Sequence, residues 1–188
     1  MKTLRKTAEE AYLKYANKII NRETWIDGFI SGIQYKKEYP QSIELCGLLW
    51  DTENLAIGGY EKNGRHYYTW QEAMEAARSV GKRLPTQYEW KALCDLGSTW
   101  DDELKGCWFG GNHNSDHKGS LFLPAAGLRD NNSGELALTS SLGYYWSSSP
   151  YYGGYGYAGY LYFNSGGVNP LSNLNRAYGF SVRCVQNK

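Results

Sequence analysis

Arg83-Leu84-Pro85-Thr86-Gln87-Tyr88-Glu89-Trp90 is the stretch from which the fold is read. Thr86 and Glu89 stand at capping-box spacing, in which a threonine hydroxyl and a glutamate three residues on satisfy free N–H groups at a helix start. Pro85 cannot donate a hydrogen bond and biases its predecessor toward extended backbone, so it helps launch the helix. That helix runs to Leu96-Gly97, with Trp90 as a core anchor. The same device stands just upstream. Thr69-Trp70-Gln71-Glu72 opens a helix that ends at Gly81, and Lys82-Arg83-Leu84-Pro85 leaves room only for a tight connection.

Outward from this pair the texture is that of short strands. Gly47-Leu48-Leu49-Trp50 and Leu55-Ala56-Ile57 are strand candidates, Gly58-Gly59 marks a turn, and Asn63-Gly64 between aromatic-rich runs predicts a hairpin. After Gly97 no helix is expected. Short apolar runs stand between Gly, Asn, Ser and Asp: Cys107-Trp108-Phe109, Leu121-Phe122-Leu123-Pro124, Leu136-Ala137-Leu138, Tyr160-Leu161-Tyr162-Phe163 and Phe180 to Val185. Trp108 and Trp146 join Trp90 as expected anchors. In the last run, alternation puts Phe180, Val182 and Cys184 on one face and Ser181 and Arg183 on the other, which makes Cys184 a core thiol. Two helices followed by a loop-rich β half is an α+β order.

Residues 1–40 read as a separate helical element before a domain spanning 41–188. Thr7-Ala8-Glu9-Glu10 fits a capping box, and Ala8, Ala11, Tyr12, Tyr15, Ala16 and Ile19 recur at helical spacing. Trp25, Ile26, Phe29, Ile30 and Ile33 form a second pattern, and Pro40 closes the region. These stripes either pack on the domain or assemble like subunits; assembly is the favoured expectation, because copies gain avidity.

The chain has 188 residues and a formal net charge of +1, with no basic stripe, so nucleic acid is a poor partner. No apolar run follows Met1 to Lys6, so neither a signal peptide nor a membrane span is expected. The reading is synthesis in a cytoplasm, with virion association as a route out of it. Cys46, Cys94, Cys107 and Cys184 are far apart, and four free, mostly buried thiols are expected. Seventeen tyrosines and seven tryptophans point to a recognition surface or a tryptophan-anchored core.

Four blocks carry a family resemblance. Arg83-Leu84-Pro85-Thr86 with Glu89-Trp90 resembles an element of C-type-lectin-like domains of the formylglycine-generating-enzyme type. Leu123 to Arg129 and Gly143 to Ser149 look like the next two blocks, and Gly179 to Val185 like the closing strand. They stand in family order from Gly47 to Val185. The nearest resemblance is to FISUMP-type domains and to the variable proteins of diversity-generating retroelements, in which a reverse transcriptase rewrites a C-terminal segment at template adenines. The implied fold is α+β and C-type-lectin-like, with an N-terminal helical extension. The implied function is non-enzymatic binding of a protein or glycan on a cell surface, in a phage- or bacterium-encoded protein.

Two alternatives accompany that reading: a formylglycine-generating-enzyme-like oxidoreductase and a lectin of fixed specificity. The oxidase branch holds copper with two cysteines ahead of the final strand, but no cysteine stands between Cys107 and Cys184. Calcium-dependent lectins of this fold need acidic ligands, and Val168-Asn169-Pro170 lacks one. Asn112 to His117 offers His-x-x-x-His, yet Gly110-Gly111 and the polar content favour a solvated loop. Arg129 to Glu135 reads as a polar turn rather than a calcium loop. Gly154 to Gly159 matches Gly-x-Gly-x-x-Gly, but a strand follows where a dinucleotide site needs a helix. Ser147-Ser148-Ser149 has no histidine nearby and reads as hydrogen-bonding turn chemistry. No metal and no cofactor is expected.

Function is therefore sought in the segment from Leu136 to Asn175, which contains no Asp, Glu, Lys, Arg or His. Its Tyr, Gly, Ser and Asn are the residues of paratopes: a rigid ring with a polar tip, an adaptable backbone and hydrogen-bonding side chains. Asn codons with replaced adenines can become Tyr, Gly, Ser, Leu, Ala, Pro or Asp, but never Lys, Glu, Gln, Trp or Met. Those last types are absent from Ser147 to Asn175. Tyr151, Tyr152, Tyr155, Tyr157, Tyr160, Tyr162, Leu171, Asn173, Leu174, Asn175, Ala177 and Tyr178 are expected to form one largely exposed ligand-binding patch. Turns at Gly153-Gly154 and Gly166-Gly167 would bring its halves together, with Trp146, Leu161, Phe163, Phe180 and Val182 beneath.

Overall fold

In the computed structural model, residues 42–111, 117 and 119–188 are described. Two compact units divide the chain, 1–39 with 111–119 and 40–110 with 120–188. Every element below belongs to the second. The expected N-terminal helices, and the Asn112 to Asp116 part of the histidine loop, lie outside the described residues.

The architecture is mixed α+β, made of small antiparallel sheets and two short helices. Strands β1 (Ser42–Leu45) and β2 (Leu48–Asp51) form a hairpin whose turn residues, Cys46 and Gly47, both have positive φ, 53° and 75°. The sequence reading missed that hairpin. The Asn63-Gly64 hairpin it did anticipate joins β3 (Tyr60–Lys62) to β4 (Arg65–Tyr67), with φ of 56° and 73° at the turn. Positive φ at both positions matches the turn to the twist of the flanking strands. Leu55-Ala56-Ile57 is not a strand. The Leu55 and Ile57 carbonyls both lie 3.0 Å from the Tyr68 hydroxyl, which shares its one proton between them and accepts the Ile57 N–H at 3.2 Å.

Helices α1 (Trp70–Ser79) and α2 (Gln87–Asp95) start at Thr69 and Thr86, each with both halves of its capping box formed. In α2 the Glu89 carboxylate takes the Thr86 N–H at 2.7 Å and also holds a two-bond fork from Arg83, each arm 2.8 Å. Arg83 is further fixed by backbone bonds in both directions with Val185. The Arg-Leu-Pro-Thr element thus has a physical role at most positions. Arg83 ties the chain end to Glu89, Leu84 is buried, Thr86 caps, and Trp90 is buried.

After α2 come β5 (Ser98–Asp101), β6 (Gly106–Phe109) and β7 (Leu121–Pro124) in one sheet, then the pair β8 (Leu128–Arg129) and β9 (Leu136–Ala137). Strands β10 (Gly143–Pro150), β11 (Tyr157–Asn164) and β12 (Gly167–Asn175) form the longest sheet, in that order, and β13 (Val185–Asn187) returns to pair with β2. Beyond α2 the described residues form no further helix.

Strands β10 and β11 of the long sheet carry buried residues on both faces. Tyr145, Leu161 and Phe163 join Trp50, Trp90, Leu93, Phe109 and Leu123 in one cluster. Tyr144, Trp146, Ala158 and Tyr160 join Ala73, Ala77, Leu84, Phe180, Val182 and Cys184 in the other. Gly143 lies directly under the Phe163 ring, where a Cβ would collide with it. Trp108 is buried as expected; Trp50, fully buried, was not anticipated. The expected two-faced strand at 180–184 is corrected. Ser181 and Arg183 are as buried as Phe180 and Val182, and only β13 is regular strand there. Burial lowers the Arg183 pKa, and the guanidinium offsets part of that cost by donating to Asn54 Oδ1 at 2.7 and 3.1 Å and to the Asp51 carbonyl at 2.9 Å.

The Arg83–Glu89 fork carries a pH signature. Burial pushes the Glu89 carboxyl up, but the Arg83 bonds and the Thr86 cap outweigh it and hold the group below its ordinary value. A carboxyl lowered by folding adds stability that is present above its unfolded value and lost as pH falls through its folded one. Glu89→Gln keeps the cap and removes the charge. The native chain should therefore melt higher than Glu89→Gln at neutral pH, with the gap closing below about pH 4, the ordinary glutamate range. A gap that stays constant down to about pH 2 would contradict the assignment.

Candidate functional site

The connection between β10 and β11 is built on an irregular ladder. Trp146 pairs with Tyr160 and Pro150 with Ala158, so Ser147, Ser148 and Ser149 face Gly159 alone. Each serine has a fixed role at this bulge. The Ser147 hydroxyl donates to the Gly159 carbonyl at 2.8 Å. The Ser148 N–H donates to the Pro85 carbonyl at 2.8 Å, and the Ser149 hydroxyl accepts the Gln87 N–H at 3.0 Å. The serine run is therefore hydrogen-bonding structure, as expected, and it stitches the start of α2 to the sheet.

The loop from Tyr151 to Gly156 then projects from the sheet end. Its shape is set by bonds to main-chain atoms. Tyr151 N–H donates to Tyr157 O at 3.2 Å, Tyr157 N–H to Gly154 O at 3.4 Å, and Arg176 N–H to Gly156 O at 2.8 Å. Tyr155 and Tyr152 are fully exposed, at 107% and 94%, and Tyr151 and Tyr157 are exposed to about two fifths. Leu171 is half exposed, and Ala177 is also exposed. These six residues are the part of the expected patch that reaches solvent freely.

The other six are corrected in whole or part. Tyr160 is buried against Phe180 and Trp146, at ring-centroid distances of 5.0 and 6.2 Å. Alternation alone would have put it outside. The second cluster covers the face that alternation left to solvent, so Tyr160 is core. Tyr162, Leu174 and Tyr178 are half-buried against that same cluster. Asn173 and Asn175 are also half-buried, and both serve the backbone. Asn173 Nδ2 donates to Leu171 O at 3.3 Å, and Asn175 Oδ1 accepts the Ala177 N–H at 2.9 Å.

Strand β12 is the edge of its sheet, a position that invites pairing with other strands. Here the middle of the strand has its own partners. Pro170 has no N–H, Leu171 N–H donates to Asn169 Oδ1 at 2.9 Å, and the Ser172 carbonyl accepts from Gln87 Nε2 at 3.0 Å. Asn173, expected as a ligand contact, thus bonds the backbone of its own strand. Gln87 also fills the space over Gly159 of the central strand, and through Ser149 and Ser172 it ties the α2 start to both outer strands.

Sequence reasoning missed two residues here. Tyr88 is 81% exposed in the first turn of α2, beside Gln87. It is offset from the buried Trp90 and Leu93, a helical spacing that could have marked it as outward. Arg176 is the second. Its guanidinium lies 4.2 Å from the Trp70 ring centroid, and its Nε donates to Tyr157 O at 2.9 Å.

The four cysteines are free thiols in different surroundings. Cys107 and Cys184 are buried in different clusters, Cys94 is half-buried, and Cys46 is exposed. Burial pushes Cys107 up to about 11 and Cys94 and Cys184 up to about 12, which suppresses the thiolate that nucleophiles and metal ligands need. Arg129 to Glu135 is a polar turn, in which Asp130 Oδ1 accepts the N–H groups of Asn132 and Ser133 at 3.0 and 2.8 Å. Among the described residues, no helix is long and apolar enough to cross a membrane.

A family described as a domain of unknown function (DUF8237) matches residues 97–185. That span begins after α2 and takes in the whole β10–β12 sheet. Comparison with curated proteins and with solved structures gave no match.

The division between tip and core is measurable by urea unfolding. Tyr160→Ala should cost about 3–5 kcal/mol, as for a large core aromatic. Tyr155→Ala should change stability by about 0.5 kcal/mol or less. Comparable losses in the two variants would place Tyr155 in the core.

Proposed function

We propose that this chain is a non-enzymatic ligand-binding protein with a C-type-lectin-like fold of the formylglycine-generating-enzyme subtype. Its contact surface is the Tyr151–Tyr157 loop together with Leu171 and Ala177, and its ligand is a protein or glycan on a cell surface. One observation carries this reading. Tyr152 and Tyr155 stand fully in solvent on a loop whose own backbone is hydrogen-bonded in place, while Tyr144, Tyr145 and Tyr160 of the adjoining strands are buried. Rings exposed in full add nothing to the packing of the core. A binding surface gains from them, because an exposed rigid ring has little rotamer entropy left to lose on contact.

Charge supports the same reading. No ionisable Asp, Glu, Lys, Arg or His occurs from Leu136 to Asn175, so contact there would not strip a full charge of water. The oxidoreductase alternative draws no support from the segment ahead of the final strand, which has no cysteine between Cys107 and Cys184.

Diversification by a retroelement is the further part of the proposal, and it rests on the four sequence blocks and the adenine-compatible residue set. Sequencing the flanks of the gene tests it. The expected finding is a near-copy of the Tyr144–Val185 coding segment, differing only at adenines, beside a reverse transcriptase gene. Flanks with neither feature would leave a binding protein of fixed specificity and remove diversification.

A further inference from the structure

Arg176 is the one charged residue between Leu136 and Tyr178. It follows Asn175 and precedes the exposed Ala177, so by position it belongs to the proposed contact surface. Its bonds run the other way. The guanidinium lies over Trp70, the first residue of α1, at 4.2 Å from the ring centroid. Its Nε donates to Tyr157 O at 2.9 Å. Its own N–H donates to Gly156 O at 2.8 Å, and its carbonyl accepts the Trp70 N–H at 2.9 Å. Trp70 is itself fixed, since its indole N–H donates to Ser147 O at 2.7 Å. A closed circuit results: helix start, serine bulge, base of the loop and end of β12.

We propose that Arg176 is the positioning residue that fixes the shape of the Tyr151–Tyr157 loop, and that it does so independently of the side chains at the tip. The role deepens the binding function proposed above and rests on that reading for its biological meaning. Every bond in the circuit that reaches the loop ends on main-chain atoms at Gly156 or Tyr157. The Tyr152 and Tyr155 side chains take no part in it, so different residues could stand at those positions on the same frame. A planar guanidinium suits the task because it stacks on an aromatic face while an edge donor reaches a carbonyl. A lysine ammonium can offer a cation to the ring but not that combination. Preorganisation of this kind removes the ordering cost a loose loop would bear on binding.

Hydrogen exchange on the full chain, without any ligand, tests the proposal. In Arg176→Ala the amides of Tyr151, Tyr157 and residue 176 should exchange at least about tenfold faster, while those of Trp90 and Phe180 keep their native rates. Arg176→Lys should fall between the native chain and Arg176→Ala. Tyr152→Ala and Tyr155→Ala should leave the loop amides at native rates. Unchanged loop protection in Arg176→Ala, lysine performing as well as arginine, or loss of loop protection in the tip variants would each overturn the proposal. So would acceleration spread equally over Trp90 and Phe180, because Arg176 would then be a general stability residue. Loop shape is read here without a ligand, so failure would leave the binding reading standing, and an intact loop that binds nothing would sink only that reading.

Discussion

Trp146 is the residue on which the rest of the structure depends. Its ring stacks on Phe180 at 4.1 Å and its indole N–H donates to Tyr68 O at 2.7 Å. Its backbone N–H reaches Ser181 O at 3.3 Å, and its carbonyl takes the Trp90 indole N–H at the same distance. One residue thus joins the central sheet to the closing segment, to the strand before α1 and to α2. A fully buried indole must have its N–H satisfied, so these partners can change only together. The bulge begins immediately after it, and from the bulge come the docking of α2 and the exit of the tyrosine loop.

Strands β10 and β11, covered on both faces, leave few places for a contact surface. In β12 the backbone at Leu171 and Ser172 is engaged by Asn169, Asn173 and Gln87. The end of the sheet remains, and there the chain sets its exposed tyrosines. The scaffold takes its stability from tryptophans, capping boxes and the Arg83–Glu89 fork. The tip takes its shape from main-chain bonds. Separating the two lets tip side chains vary without a cost to the core, which is the condition any adaptable binding surface must meet.

Local chemistry was legible in the sequence wherever it was self-contained. Thr69 with Glu72, Thr86 with Glu89, and Asn63-Gly64 each act within four residues, and each formed as read. Tyr160, Asn173 and Arg183 were misread for one shared reason: their surroundings come from distant chain. Alternation says that Tyr160 and Leu161 face opposite ways, but not that Phe180 and Trp146 wait on the second side. Asparagine composition suggests hydrogen bonding without saying that its partners are the strand's own backbone. Arg176 was detectable as a lone charge in a neutral segment. Its partner, Trp70, lies about a hundred residues away, beyond the reach of any local pattern.

The most direct test replaces the tip while keeping the frame. A chain carrying Tyr152→Ser, Tyr155→Ser, Leu171→Ser and Ala177→Ser together should unfold in urea with the native slope and within about 1 kcal/mol of the native stability, since exposed changes are each worth about half a kcal/mol or less and partly cancel. A loss of several kcal/mol would show that these residues belong to the core, and the separation of scaffold from contact surface would be wrong.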